Sequence, residues 1–157
     1  MSDPKTQAAD EGAGSLEAMM ALGQHYATSE EHKQAFYWYQ NAAGKGDTIA
    51  QTHIGLMYAE GRGIQKSIPK AINCLKSAAE NGSNFARGHL AEMLFRLKLY
   101  TESVRYAKMV YDQYKSDESD VFEDRHEAEG LAISCYILGR CLMVSTFNTV
   151  PLLNMFV

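Results

Sequence analysis

A basic surplus is missing from this sequence. Lysine and arginine number 15 against 19 aspartates and glutamates, for a formal net charge of −4. That argues against a general nucleic-acid binder, which presents a basic face. Cysteine is scarce. Cys74, Cys135 and Cys141 make an odd number without the paired spacing of a zinc site, and they read as reduced thiols of a cytoplasmic protein. No basic-then-apolar leader opens the chain, so secretion is not expected. A membrane span is not expected either. The most apolar stretch, Ile133 to Val157, contains Arg140, Asn148, Pro151 and Asn154. Its continuous apolar parts fall short of the ~20 residues a span needs. What the chain does have is 157 residues, 46% of them hydrophobic and 22% charged, which suits one globular domain with a substantial core.

The chain repeats itself. Ala35 to Gly46 (AFYWYQNAAGKG) aligns with Ala71 to Gly82 (AINCLKSAAENG) at an offset of 71 − 35 = 36. Upstream, Ala18-x-x-x-Leu22-Gly23-x-x-Tyr26 aligns with Ala50-x-x-x-Ile54-Gly55-x-x-Tyr58 at an offset of 50 − 18 = 32. The second copy carries four extra residues between its two blocks, Gly61-Arg62-Gly63-Ile64. A weaker third copy starts Ala86-x-x-x-Leu90-Ala91-x-x-Leu94, and a fourth start reads Ser134-x-x-x-Leu138-Gly139-x-x-Leu142.

Each copy predicts two helices. Apolar residues at i, i+4 and i+8 give the first helix one buried stripe, and the adjacent glycine admits a close neighbour at a propensity cost of ~1 kcal/mol. The small residues of the second helix suit tight antiparallel packing, and Gly46 and Gly82 stand where a left-handed terminator is needed. Gly61 to Ser67 has the ingredients of a phosphate loop, yet Gln65 stands where glycine should precede Lys66-Ser67, and no strand is predicted upstream. The segment reads as a turn, with Ser67 as N-cap and Pro69 in the first turn of the next helix.

The pattern A-x-x-x-L-G-x-x-Y, G-x-G-I/V, then K-A-x-x-x-(L/Y)-x-x-A-A-x-x-G, complete at Lys70-Ala71 and Ala78 to Gly82, resembles the Sel1-like repeat, a relative of the tetratricopeptide repeat. The resemblance implies an all-α, right-handed open α-solenoid of helix pairs. It assigns repeats to residues 15–47, 48–83 and 84–115, a partial repeat to 127–144 and an acidic linker to 116–126. Residues 1–14 are then a flexible remnant and 145–157 an atypical tail. It implies a non-catalytic adaptor or scaffold. The sequence is also similar to an adaptor of this family associated with the cytoplasmic tail of megalin, an endocytic receptor of the LDL-receptor family. That makes a receptor tail the expected partner, without nucleic acid or membrane insertion. Two alternatives stay open. One is an enzyme of the bacterial β-lactam-binding Sel1 kind, although those staple each repeat with a cysteine pair absent here. The other is a truncated or alternatively spliced product without independent function. Both ends of the array lack a terminal cap, so self-association through them is also expected.

No catalytic residue, cofactor or metal is expected. His53 and His89 share a repeat position, but packed helices lie about 8–10 Å apart, and zinc bonds are only ~2 Å long. The aromatic run Phe36 to Tyr39 reads as core, with Trp38 and Tyr39 between repeats. The acidic stretch Asp112 to Glu129 lacks a calcium-loop pattern. The partner surface is expected opposite the inward Leu22, Ile54, Leu90 and Leu138, two residues to either side at 100° per residue. It comprises Met20, Gln24, Thr52, Leu56, Gly88, Glu92, Tyr136 and Arg140, flanked by His53 and His89, and by analogy with related solenoids lines a concave side.

Overall fold

A computed structural model describes residues 15–116 and 125–147. Seven helices and no strand occur among them: α1 (Leu16–Thr28), α2 (His32–Gly44), α3 (Thr48–Glu60), α4 (Ile68–Glu80), α5 (Asn84–Arg96), α6 (Tyr100–Ser116) and α7 (Arg125–Phe147). The expected remnant 1–14, the centre of the acidic linker and most of the tail lie outside the described residues. Within the described part, α7 takes up the linker's last residues and runs past position 144. Two compact units divide the chain, residues 1–74 and 75–157, with the boundary inside α4.

In the first unit, α2 packs on both α1 and α3. Its core joins Met19, Leu22 and Tyr26 of α1, Ala35, Tyr39 and Ala42 of α2, and Ala50, Ile54 and Met57 of α3. Trp38 and Phe36 pack on it partly buried, while Tyr37 stays 55% exposed. The helices α1, α3 and α5 each start on a cap three residues before the signature alanine. Ala18 N donates to Ser15 Oγ (3.1 Å), Ala50 N to Asp47 Oδ1 (2.6 Å) and Ala86 N to Ser83 Oγ (3.2 Å). Such a cap contributes about 1 kcal/mol to its helix. The expected terminators Gly46 and Gly82 have φ of 93° and 94°.

The short turns after α1 and α5 use Glu30 (φ 61°) and Lys98 (φ 63°) at equivalent places. The longer Gly61–Ser67 connection follows a helix, not a strand. Gly61 caps α3 with φ 77°, Ser67 N donates to Tyr58 O (2.8 Å), and Ser67 Oγ accepts from Lys70 N (3.4 Å) as an N-cap should. Gly63 has φ 71°, and a Cβ there would stand 2.4 Å from the His32 carbonyl carbon. The loop is thus folded onto the start of α2.

In the second unit, α5, α6 and α7 pack on one another. Ala91, Val104, Ala107, Ile137, Leu138 and Cys141 form a buried cluster. In α7, Ser134 and Ile137 (both 0%), Leu138 (8%) and Cys141 (2%) are buried, whereas Leu142 is 43% exposed. The same places in α3, Ala50, His53, Ile54 and Met57, face the preceding helix pair, so Leu138 stands where Ile54 does and Gly139 where Gly55 does. Nearer its start, α7 touches α5 backbone to backbone. A Cβ on Gly88 would meet Gly130 O at 2.7 Å, and one on Gly130 would meet Asn84 O at 2.4 Å.

Gly63→Val forces a left-handed residue into a filled space. It should lower stability by about 2–4 kcal/mol in urea unfolding, while exposed Lys66→Ala stays within about 0.5 kcal/mol. Gly130→Ala should cost about 1–3 kcal/mol by prising α7 from α5, seen as a lower urea midpoint.

Candidate protein-binding face

In the first unit the expected face is built around one ring. Tyr39 is 2% exposed and lies in the gap left by Gly23, where a Cβ would meet its Cε1 at 2.6 Å. The ring stacks on His53 of α3 (centroids 4.7 Å apart, 18° between planes), and its hydroxyl donates to Gln24 Oε1 of α1 at 3.4 Å. Burial pushes the Tyr39 phenol up to about 12, with the Arg62 charge opposing. The hydroxyl is therefore a neutral donor at physiological pH. Met20 packs half-buried on the core, Gln24 is exposed, and His53 and Leu56 are half-buried. One tyrosine thereby ties three helices to residues that reach solvent.

The second unit places its share along the seam between α5 and α7. Three contacts cross it in parallel order: Phe85 on His126 (4.8 Å, edge-on), His89 on Glu129, and Phe95 beneath the Arg140 guanidinium at 5.6 Å. His89 sits between two carboxylates, with Nδ1 3.7 Å from Glu92 Oε2 and Nε2 3.5 Å from Glu129 Oε1. Its side chain is only 10% exposed and lies edge-on to Phe85. The His89 hydrogen bond, with the charges of His89 and Arg96, holds the Glu92 carboxyl below its usual range against the opposing effect of burial. Arg140 Nη1 donates to the Tyr136 hydroxyl at 2.9 Å, and Tyr136 is 57% exposed.

Thr52 departs from the expectation. It is 0% exposed and its hydroxyl donates to Thr48 O (2.7 Å), so it cannot meet a partner. Gly88 is likewise closed off, under Gly130. The expectation assumed one buried stripe per first helix. In α3, however, Ala50, Thr52, Ile54, Gly55 and Met57 are all buried, which leaves no open face opposite Ile54. The Tyr39–His53 stack and the Phe95–Arg140 contact had no signal in the spacing, since each joins two different helices.

A lowered carboxyl pKa contributes stability that is complete above the unfolded value, ~4.3 for glutamate, and disappears as pH falls through the folded value. Glu92→Gln should therefore lower the urea midpoint at pH 7, and the gap from wild type should close by pH 3. An equal gap at both pH values would count against the His89–Glu92 coupling.

The Sel1 repeat family model matches residues 16–47 and 48–83. Among curated proteins, DAP3-binding cell death enhancer 1 of Rattus norvegicus is 30% identical over 101 residues, covering 57% of this chain and 19% of the relative. The Mus musculus protein of the same name is 32% identical over 87 residues, covering 54% and 16%. The chain thus spans under a fifth of the length of these curated relatives, and neither is named for megalin. Among solved structures, a protective antigen of uropathogenic Escherichia coli with an SLR fold superposes with a TM-score of 0.58 at 25% identity, over 89% of this chain and 30% of its own. A Sel1 repeat protein from Oxalobacter formigenes gives 0.53 at 19% identity, over 82% and 60%, and at that identity shares the fold alone. Residues 16–47 and 48–83 thus match the Sel1 repeat, and the all-helical fold that carries them is like that of solved Sel1-repeat proteins.

Proposed function

We propose that the chain is a non-catalytic, cytoplasmic adaptor that binds a protein segment on the solvent-facing sides of its first helices. The contact residues of this reading are His89, Glu92, Tyr136 and Arg140 in the second unit, while Met20, Gln24, His53 and Leu56 make a set of their own in the first. Thr52 is removed from this set by its burial. The observation that carries the reading is the Tyr136–Arg140 pair. An exposed tyrosine and an arginine are held ready by their mutual hydrogen bond and by the Phe95 ring. Tyrosine and arginine are enriched among residues that dominate binding energy, and a held side chain loses less entropy on contact. The cytoplasmic placement rests on three cysteines that remain unbonded.

The name of the curated relatives makes DAP3 the first bait. The cytoplasmic tail of megalin is the second, on sequence resemblance alone. Immobilised full-length chain should retain at least one of these purified baits. Tyr136→Ala and Arg140→Glu should each weaken that binding about tenfold or more without changing the far-ultraviolet circular dichroism. Retention of neither bait, or unaltered binding by both variants, would refute the proposal.

A further inference from the structure

On the far side of the second unit, α6 and α7 enclose an open groove of about 500 Å³. One wall is the α6 stripe with Tyr111 and Asp112 between Lys108 and Lys115. The other is the α7 stripe of Cys135, Leu138, Gly139 and Leu142. Both sets have i, i+3, i+4, i+7 spacing, so each is a single helix face, and the two meet as walls of the kind that seat a third helix. Tyr111 and Leu142, each 43% exposed, leave apolar surface open there.

The first unit shows what fills such a place. There a second helix, α2, lies on a first helix, α1, and its Tyr39 ring takes the space of the missing Gly23 side chain. In α7 nothing beyond the neighbouring residues and the backbone of its own helix stands within 4 Å of the Cβ position of Gly139, and the residue is exposed in the groove. Glycine weakens a helix interior, and packing inside this chain does not require it here.

We propose that this groove docks a helix of a partner protein in the place of a second repeat helix. The incoming helix seats an aromatic residue on Gly139, with small residues four before and three after it, as Ala35, Tyr39 and Ala42 are spaced in α2. It turns acidic residues seven apart toward Lys108 and Lys115. Among the described residues a second copy of this chain has no such helix to offer. Its own stripes, Ala35-Tyr39-Ala42, Ala71-Leu75-Ala78 and Ser103-Ala107-Val110, are at most 2% exposed. In residues 148–157 the one aromatic, Phe156, has Leu152 four places before it where the spacing asks for a small residue. Two lysines against one aspartate on the α6 wall favour an acidic flank. This surface is separate from the first-helix face proposed above, so either can fail alone.

The probe is a fluorescein-labelled peptide with the α2 sequence, His32–Gly44, carrying Gln34→Glu and Asn41→Glu. These changes place two carboxylates seven apart beside its stripe. Full-length chain should bind it saturably. Tyr39→Ala in the peptide, or Lys115→Glu in the protein, should weaken binding at least tenfold. Gly139→Leu should abolish binding with an equal or higher melting temperature, since it fills the seat and removes a helix-weakening glycine. Bound peptide should also slow maleimide labelling of Cys135 at least tenfold. Absence of saturable binding, or unchanged binding by Gly139→Leu, overturns the proposal. So does a wild-type dimer in sedimentation that Gly139→Leu dissociates, which would make the occupant a second copy. A chain ending at Phe147 whose Cys135 labels much faster than wild type overturns it too, in favour of the chain's own last residues.

Discussion

The packing of this chain depends on where a side chain is left out. Two helices of ordinary residues stand about 8–10 Å apart, and they come closer only where a Cβ is missing. Gly23 opens a slot on α1 that holds the Tyr39 ring, and that ring stacks on His53 of α3. Gly88 and Gly130 bring the backbones of α5 and α7 into contact. The third helix pair keeps the shape with other letters. Ala91 stands where Gly23 and Gly55 stand, and Ala107 takes the place of Tyr39 and Leu75. As one partner gains a methyl group the other gives up its large side chain, so the slot closes where there is no longer a ring to fill it.

Close approach also decides how buried polar groups are satisfied. With little room between helices, the hydroxyls bond within their own turn or to a carbonyl next door. Thr52 donates to Thr48 O, Ser134 to Gly130 O at 2.8 Å, and Ser103 of α6 to Ala91 O of α5 at 2.7 Å. Each of these three closes on a backbone carbonyl, and the buried Tyr39 hydroxyl reaches out to the exposed Gln24. Groups of longer reach collect at the seam edge instead, where Arg87 Nη1 spans Asn84 and Gln113 (2.8 and 3.1 Å) and His89 lies between its two carboxylates. The versatile chemistry of the second unit is therefore at its surface, as suits recognition of another protein.

The helix pairs were legible because their signal is periodic and local. The alanines, the central leucine or isoleucine, the left-handed Gly46 and Gly82 and the turn around Gly63 each act within a few residues of themselves. The face was only partly legible. Gln24, Tyr136 and Arg140 reach solvent, but Thr52 and Gly88 do not, because a helix with neighbours on two sides has no opposite face and periodicity cannot count neighbours. In α7 the inward Leu138 was legible, and Gly139 keeps the place of the signature glycine with that side of the helix exposed. The N-caps at Ser15, Asp47 and Ser83 were present in the sequence, each three residues before the signature alanine, and a search for that spacing would have found them.

The two copies that match the Sel1 family model are those that keep the letters, residues 16–83. Beyond them the helices continue in the same order with other residues. What the later copies retain is burial and hydrogen-bond closure at each place: Ser103 for Ala35, its hydroxyl satisfied, Val110 for Ala42, and Cys141 for Met57. Close-packed interiors constrain burial more strongly than identity. A place freed from that constraint can then carry residues for another reason. Gly139 is in that position. It lies outside the core and adds nothing to the stability of its helix, so a reason for the glycine has to be sought in what the open side of α7 meets.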